Sequence, residues 1–422
     1  MKMKWISLTH FKIKYFIYIA IFFSVFYRTF CDFLGAPSAI RYIIDICILI
    51  ALVEDIAKPH GGMNKYKTTI RNYTLLFLLI SVLTYLLVYQ SVVYCIYGIV
   101  FRFRYYFFSY LLIRYFTRED IDFFVNFFEK LFYVNVVAIA VEYIAFGLYG
   151  DYLGGIFGIT QGCNGYLNIF LVVSVTISII KFLNKQEKLK YLIIKIVLTF
   201  GIASIAELKF FFAEFIVLLL FTIFFTGFSW KKLGISIISI AGFVVGYIVF
   251  SRMYSYADSF LNIDSWIKVS TSGGYAAGYS GFGEFNRLTF LQVANARFLK
   301  STFSKMIGLG IGNCGFSSIE LFNTPFYKTY SGLRYQWFTS AHLYLEQGWL
   351  GIIGFIGYFA LVFICSNRKD SKSFEYRTYN YLSKALSILG VLFFLYNNSL
   401  TTEAGFMFYL FLMANFVITG NS

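Results

Sequence analysis

The chain has 422 residues, 59% of them hydrophobic and only 14% charged, with a mean hydropathy of +0.69. Soluble domains carry roughly a quarter charged residues, and a water-facing fold has nowhere to bury this much apolar surface, so an ordinary soluble protein is excluded. The net charge of +15 gathers in short segments between apolar runs, which is the pattern of membrane topology and not of nucleic-acid binding.

Crossing ~30 Å of hydrocarbon takes about twenty mostly apolar residues. In chain order the apolar runs are 15–33, 38–54, 73–90, 93–113, 131–149, 165–182, 189–206, 210–227, 234–250, 343–365, 380–397 and 404–420. They predict an all-α polytopic membrane protein of about twelve transmembrane helices. Residues 1–250 hold helices one to nine, 251–341 form one large external loop subdomain, and 342–422 hold helices ten to twelve. The third and fourth runs nearly merge, as do the seventh and eighth, so tight hairpins must separate them. The first run follows Lys2, Lys4, Lys12 and Lys14 but leads into Phe26-Tyr27-Arg28 without a small-residue cleavage site, which reads as a retained helix.

Lys58, Lys65, Lys67 and Arg71, then Arg114 and Arg118, Lys181 to Lys190, Lys231 and Lys232, and Arg368 to Arg377 fall in alternate connections. The others are poor in Lys and Arg, with none near 150–164 or 398–403. This alternation puts both termini in the cytoplasm and 251–341 outside. Within that segment a turn-rich opening, Ser270 to Gly283, precedes a predicted amphipathic helix from Phe285 to Ser304 with Leu288, Leu291, Val293, Phe298 and Leu299 as its apolar contacts. Gly308-Leu309-Gly310-Ile311-Gly312 then reads as a permissive turn.

Ionisable groups at or inside hydrocarbon are costly, which makes each one a functional candidate. Arg28, Asp32, Arg41, Arg102, Arg104, Glu142, Glu207, Lys209 and Glu214 map to outer helix halves or outer loops, with Asp45 nearer mid-helix. Arg28 with Asp32 and Arg41 with Asp45 stand four apart, and each couple reads either as a helix-neighbour ion pair or as part of a site. Arg102 and Arg104 read as lying outside the membrane among Phe101, Phe103, Tyr105 and Tyr106. They suit an anion, since a guanidinium fork matches phosphate oxygens at two points; snorkelling among interface aromatics is the alternative. Glu207-Leu208-Lys209 turns between two spans and reads as a local ion pair. Asp120-Ile121-Asp122 reads as a helix start. His342 is the only histidine on the outer side, at the mouth of the tenth helix, with Glu346 one turn below on the same face. A neutral imidazole there suits proton abstraction from a sugar hydroxyl with the carboxylate orienting it, and a structural histidine is the alternative.

Five stretches carry a family resemblance: Gly98 to Arg104, Ser204 to Lys209, Glu284-Phe285-Asn286-Arg287, Gly308 to Gly312, and His342-Leu343-Tyr344-Leu345-Glu346-Gln347-Gly348-Trp349-Leu350-Gly351. Together with the topology they resemble the O-antigen polymerase and O-antigen ligase superfamily of bacterial envelope polysaccharide enzymes. Leu343 stands where many relatives have Asn or Ser after the histidine, and Glu207 and Lys209 stand where Ser-Arg is common. The resemblance implies a bacterial inner-membrane glycosyltransferase with a periplasmic active site and no cofactor or obligatory metal. Its implied partners are an undecaprenyl-diphosphate-linked oligosaccharide, membrane lipid and a chain-length regulator protein.

In that reading Arg102, Arg104 and Arg287 hold the diphosphate, Lys209 takes the hairpin position, and His342 activates the acceptor hydroxyl with Glu346 behind it. Tyr330, Tyr335 and Trp337 stack on sugar rings, with anchoring at the membrane interface as the equal alternative for such aromatics. A polymerase joining repeat units is the first reading, a ligase moving polymer to lipid A core the second, and a flippase or other secondary transporter the third.

Overall fold

The computed structural model describes residues 2–58, 63–226, 230–254, 264, 284–366 and 374–418. Helices α1 (Lys2–Asp32), α2 (Tyr42–Ile56), α3 (Lys65–Leu87), α4 (Val92–Tyr115), α5 (Arg118–Phe146) and α6 (Asn164–Leu183) come first. Then follow α7 (Leu189–Ile205), α8 (Lys209–Thr226) and α9 (Trp230–Met253). Three short helices, α10 (Phe290–Arg297), α11 (Thr302–Ile307) and α12 (Pro325–Tyr330), precede α13 (Thr339–Cys365), α14 (Phe374–Tyr396), α15 (Gly405–Leu412) and α16 (Ala414–Ile418). No strand occurs among the described residues. His60, the stretch from Ser270 to Gly283, and Arg368, Lys369 and Lys372 lie outside them.

Among the described residues six helices are long and apolar enough to cross a membrane: Ile13–Asp32, Lys65–Leu87, Arg118–Phe146, Asn164–Leu183, Thr339–Cys365 and Tyr376–Tyr396. Their outward faces are apolar. On α3 Leu75, Leu76, Leu79, Leu83 and Leu86 are all exposed, and on α5 Val134, Val137, Val141 and Ile144. Such leucine and valine stripes are tolerable only against lipid, so the protein is embedded in a membrane. The centre of the bundle is formed by α6, α15 and α16, whose side chains are almost wholly buried.

The tight hairpins are present: residues 88–91 separate α3 from α4, and 206–208 separate α7 from α8, where Glu207 takes φ 58°. At the opposite end Asp120 closes a capping box with Thr117, whose backbone N–H donates to it over 2.6 Å. The last apolar run is two short helices broken at Met413. The predicted helix from Phe285 to Ser304 is also broken. Phe298 and Leu299 both donate to the Ala294 carbonyl, and Ser301 restarts the chain by accepting from the Ser304 N–H. Leu299 is fully buried, whereas Leu288 is exposed and supplies no packing.

The glycine turn does not stay outside the bundle. The N–H of Leu309 donates to the carbonyl of Leu345 over 2.8 Å, a carbonyl left open because α13 unwinds at Gly348, with φ 56° and ψ −147°. A Cβ on Gly348 would stand 2.4 Å from the Lys305 carbonyl oxygen, and one on Gly312 would stand 2.0 Å from that of Tyr94. The turn is thus wedged between α4 and the kink of α13, and only residues without side chains let three backbones meet there.

Candidate functional site

Arg102 and Arg104 are mid-helix in α4, not in an outer loop, and both are buried. Two residues apart on a helix means roughly 200° around its axis, so the two side chains leave on opposite sides. Arg102 faces α13, where its Nη2 reaches Glu346 Oε2 at 2.7 Å. Arg104 faces α2 and the connection before α15. It pairs with Asp45 at 3.4 Å and Glu403 at 3.6 Å, and donates to the Thr401 carbonyl at 2.8 Å. The cost of a charge in the bundle is met by a carboxylate from a distant segment.

His342 and Glu346 share one face of α13, with Nε2 3.2 Å from Oε1, so one carboxylate bridges the imidazole and Arg102. His342 is 4% exposed, Glu346 2% and Arg102 3%, which closes the cluster to solvent. The imidazole is walled by Phe316 at 5.6 Å, Tyr335 at 5.7 Å and Phe101 at 6.2 Å between ring centres. Tyr335 is itself fully buried and donates to the Cys314 carbonyl at 2.8 Å. It is therefore part of the histidine's enclosure and has no face for a sugar.

On the far side of Phe101 and Phe316 lies a cavity of about 570 Å³. Its wall includes Arg28, Arg41, Asp151, Tyr166, Trp337 and Glu403. These come from the C-terminal end of α1, the turn before α2, the α5–α6 connection, the start of α6, the segment before α13 and the segment before α15. Arg28 and Asp32, and Arg41 and Asp45, do not satisfy one another as helix neighbours; each finds a different partner. Arg28 Nη1 donates to Thr160 Oγ1 at 2.7 Å with the guanidinium 5.2 Å from the Tyr166 ring, while Asp32 accepts from the Ile159 and Thr160 N–H groups. Arg41 reaches Glu403 at 3.5 Å. The Nε of Arg28 is buried without a hydrogen bond, and that of Arg41 is the atom that faces Glu403.

Glu403 has partners on both oxygens: one is ion-paired with Arg41 and Arg104, and the other accepts a hydrogen bond from the Tyr166 hydroxyl. Burial alone would push its carboxyl up, but the two guanidiniums and the tyrosine hydrogen bond hold it down to about 2. A folded-state value below the ordinary one contributes stability that is complete above about 4.5 and lost as pH falls toward 2. The thermal midpoint of the detergent-solubilised protein is accordingly expected to drop over that window. Glu403→Gln is expected to flatten the part of the drop due to this group; an unchanged acid limb in that variant contradicts the assignment.

The remaining candidates lie elsewhere. Lys209 pairs with Glu207 at 2.9 Å in the hairpin, and Arg287 donates to the Tyr396 carbonyl at 2.9 Å with its guanidinium 4.2 Å from that ring. Tyr330 packs on Phe298 and Phe326, each at 4.9 Å, outside the cavity wall. Of the three aromatics read as sugar platforms only Trp337 faces the cavity, 44% exposed, with Arg334 at 4.8 Å over its ring. Asp151, Tyr166 and Glu403 escape a reading that looks at outer loops only for Lys and Arg. Acid and amide residues in 150–164 and 398–403 are the signal that points to Asp151 and Glu403.

Compared with family models, curated proteins and solved structures, the chain matches none of them.

Proposed function

We propose that this protein is a membrane glycosyltransferase that joins undecaprenyl-diphosphate-linked oligosaccharide units into O-antigen or capsular polysaccharide at the outer face of the bacterial inner membrane. The observation that carries this reading is the pair Arg28 and Arg41, two guanidiniums in the wall of a cavity of about 570 Å³. A guanidinium fork matches the oxygens of a diphosphate at two points. Trp337 adds a ring face for a sugar, and Gln336 and Asn398 add neutral amides in the same wall.

Sidedness follows from charge. The cavity is walled by the connections poor in Lys and Arg, and the positive-inside rule assigns that end to the periplasm, with twelve spans and both termini cytoplasmic. In this reading Arg28 and Arg41 take the place that the sequence assigns to Arg102, Arg104 and Arg287. The buried His342–Glu346–Arg102 cluster ties α4 to α13 and backs the two rings of the cavity wall.

A deletion strain tests the reading by gel. Single repeats on the core with no long polymer are expected for a polymerase. Long polymer held on the carrier would indicate a ligase, and an unchanged ladder would overturn both.

A further inference from the structure

We infer that Asp151 is the general base of the proposed transfer, taking the proton from the acceptor sugar hydroxyl. The inference rests on the function proposed above. A glycosyl transfer from a diphosphate needs a group in the cavity to receive that proton, and the side chain must touch the substrate to do so. His342 is screened from the cavity by Phe101 and Phe316. Among the described residues the cavity wall holds two carboxylates, Asp151 and Glu403. Glu403 is ion-paired through Oε1 with Arg41 and Arg104 and accepts the Tyr166 hydroxyl through Oε2, and the two guanidiniums make it a poor proton acceptor.

Asp151 differs on each count. It is exposed to the cavity, and its Oδ1 accepts from Asn164 Nδ2 at 2.7 Å, while Oδ2 has no partner among the described residues. Asn164 also donates to the Ala206 carbonyl at 3.2 Å, so the orienting amide is itself held in place. The loop places this carboxylate beside the anion site. The backbone carbonyl of Asp151 accepts from Gly162 N–H at 3.1 Å, two residues from the Thr160 that holds Arg28. A base oriented by a second group next to a site for the leaving group is the arrangement acyl- and glycosyl-transfer centres share.

In the step, the acceptor oxygen forms a bond to the anomeric carbon and its proton passes to Asp151 Oδ2. The bond from the anomeric carbon to the diphosphate oxygen breaks, and that oxygen leaves with the electron pair facing Arg28 and Arg41. Water in the open cavity then takes the proton from Asp151.

The test uses the full-length protein in lipid nanodiscs with an undecaprenyl-diphosphate-linked repeat unit, measuring donor binding and chain elongation separately. Asp151→Asn is expected to lower turnover by about a hundredfold or more with donor affinity within about twofold, and Asp151→Glu to recover part of the loss. Turnover within about threefold of wild type in Asp151→Asn overturns the base assignment. So does a parallel loss of donor binding, which would mark a structural role. Wild-type protein that neither binds nor elongates the donor overturns the proposed function instead.

Discussion

Glu346→Ala is expected to remove nearly all folded protein from the membrane. Its carboxylate is the partner of two groups that are themselves closed to solvent, Arg102 at 2.7 Å and His342 at 3.2 Å. Stripping one partner from a buried ion pair leaves an uncompensated charge and costs roughly 3–5 kcal/mol. Total stability of a domain is only about 5–15 kcal/mol, so the loss takes a large share of it. Two controls separate charge from packing. Glu346→Gln keeps the shape and one acceptor and is expected to lose less. Replacing both members, Arg102→Met with Glu346→Leu, is expected to recover folded protein, because apolar residues of similar volume remove the need for pairing. Size-exclusion profiles and thermal midpoints in detergent read all three. Wild-type behaviour of Glu346→Ala would show that the pair is not what joins α4 to α13.

Arg28→Ala and Arg41→Ala are each expected to abolish long polymer while the protein still reaches the membrane. Hydrogen bonds to a charged partner contribute about 1.5–3 kcal/mol, which corresponds to a loss of donor affinity of roughly ten- to more than hundredfold for each arginine. Lysine at either position keeps the charge but loses the planar fork, so an intermediate affinity is expected. Arg287→Ala is expected to have the smaller effect on donor binding, because its guanidinium is engaged by the Tyr396 carbonyl and ring outside the cavity wall. Donor affinity on purified variants distinguishes these cases. Equal affinity in Arg28→Ala and wild type, with Arg287→Ala impaired, would move the anion site away from the cavity.

The succession of helices was legible because each membrane helix is written locally, as an unbroken apolar run ended by charge, glycine or a turn. The hairpins at 88–91 and 206–208 follow from the same rule. His342 and Glu346 were legible as a pair because four residues is one helical turn. Arg102 and Arg104 were misplaced for a physical reason. Arginine in hydrocarbon is costly enough to suggest a loop, and the carboxylates that make the interior tolerable, Glu346 and Glu403, lie 244 and 299 residues further along.

No local period reports such a pairing. The insertion of Gly308 to Gly312 beside the Gly348 kink is equally invisible, since glycines in a loop and one glycine in an apolar helix each have ordinary readings. The cavity was half legible. Arg28 and Arg41 stood out as charges at helix ends, whereas Asp151 and Glu403 gain their meaning only from the segments that fold against them.

A structure of the protein in nanodiscs with an undecaprenyl-diphosphate-linked oligosaccharide bound tests the account at its root. The diphosphate is predicted between Arg28 and Arg41, with the first sugars toward Trp337 and Asp151. A diphosphate seated at Arg287 and Lys209, or a cavity left empty at saturating lipid, would contradict it.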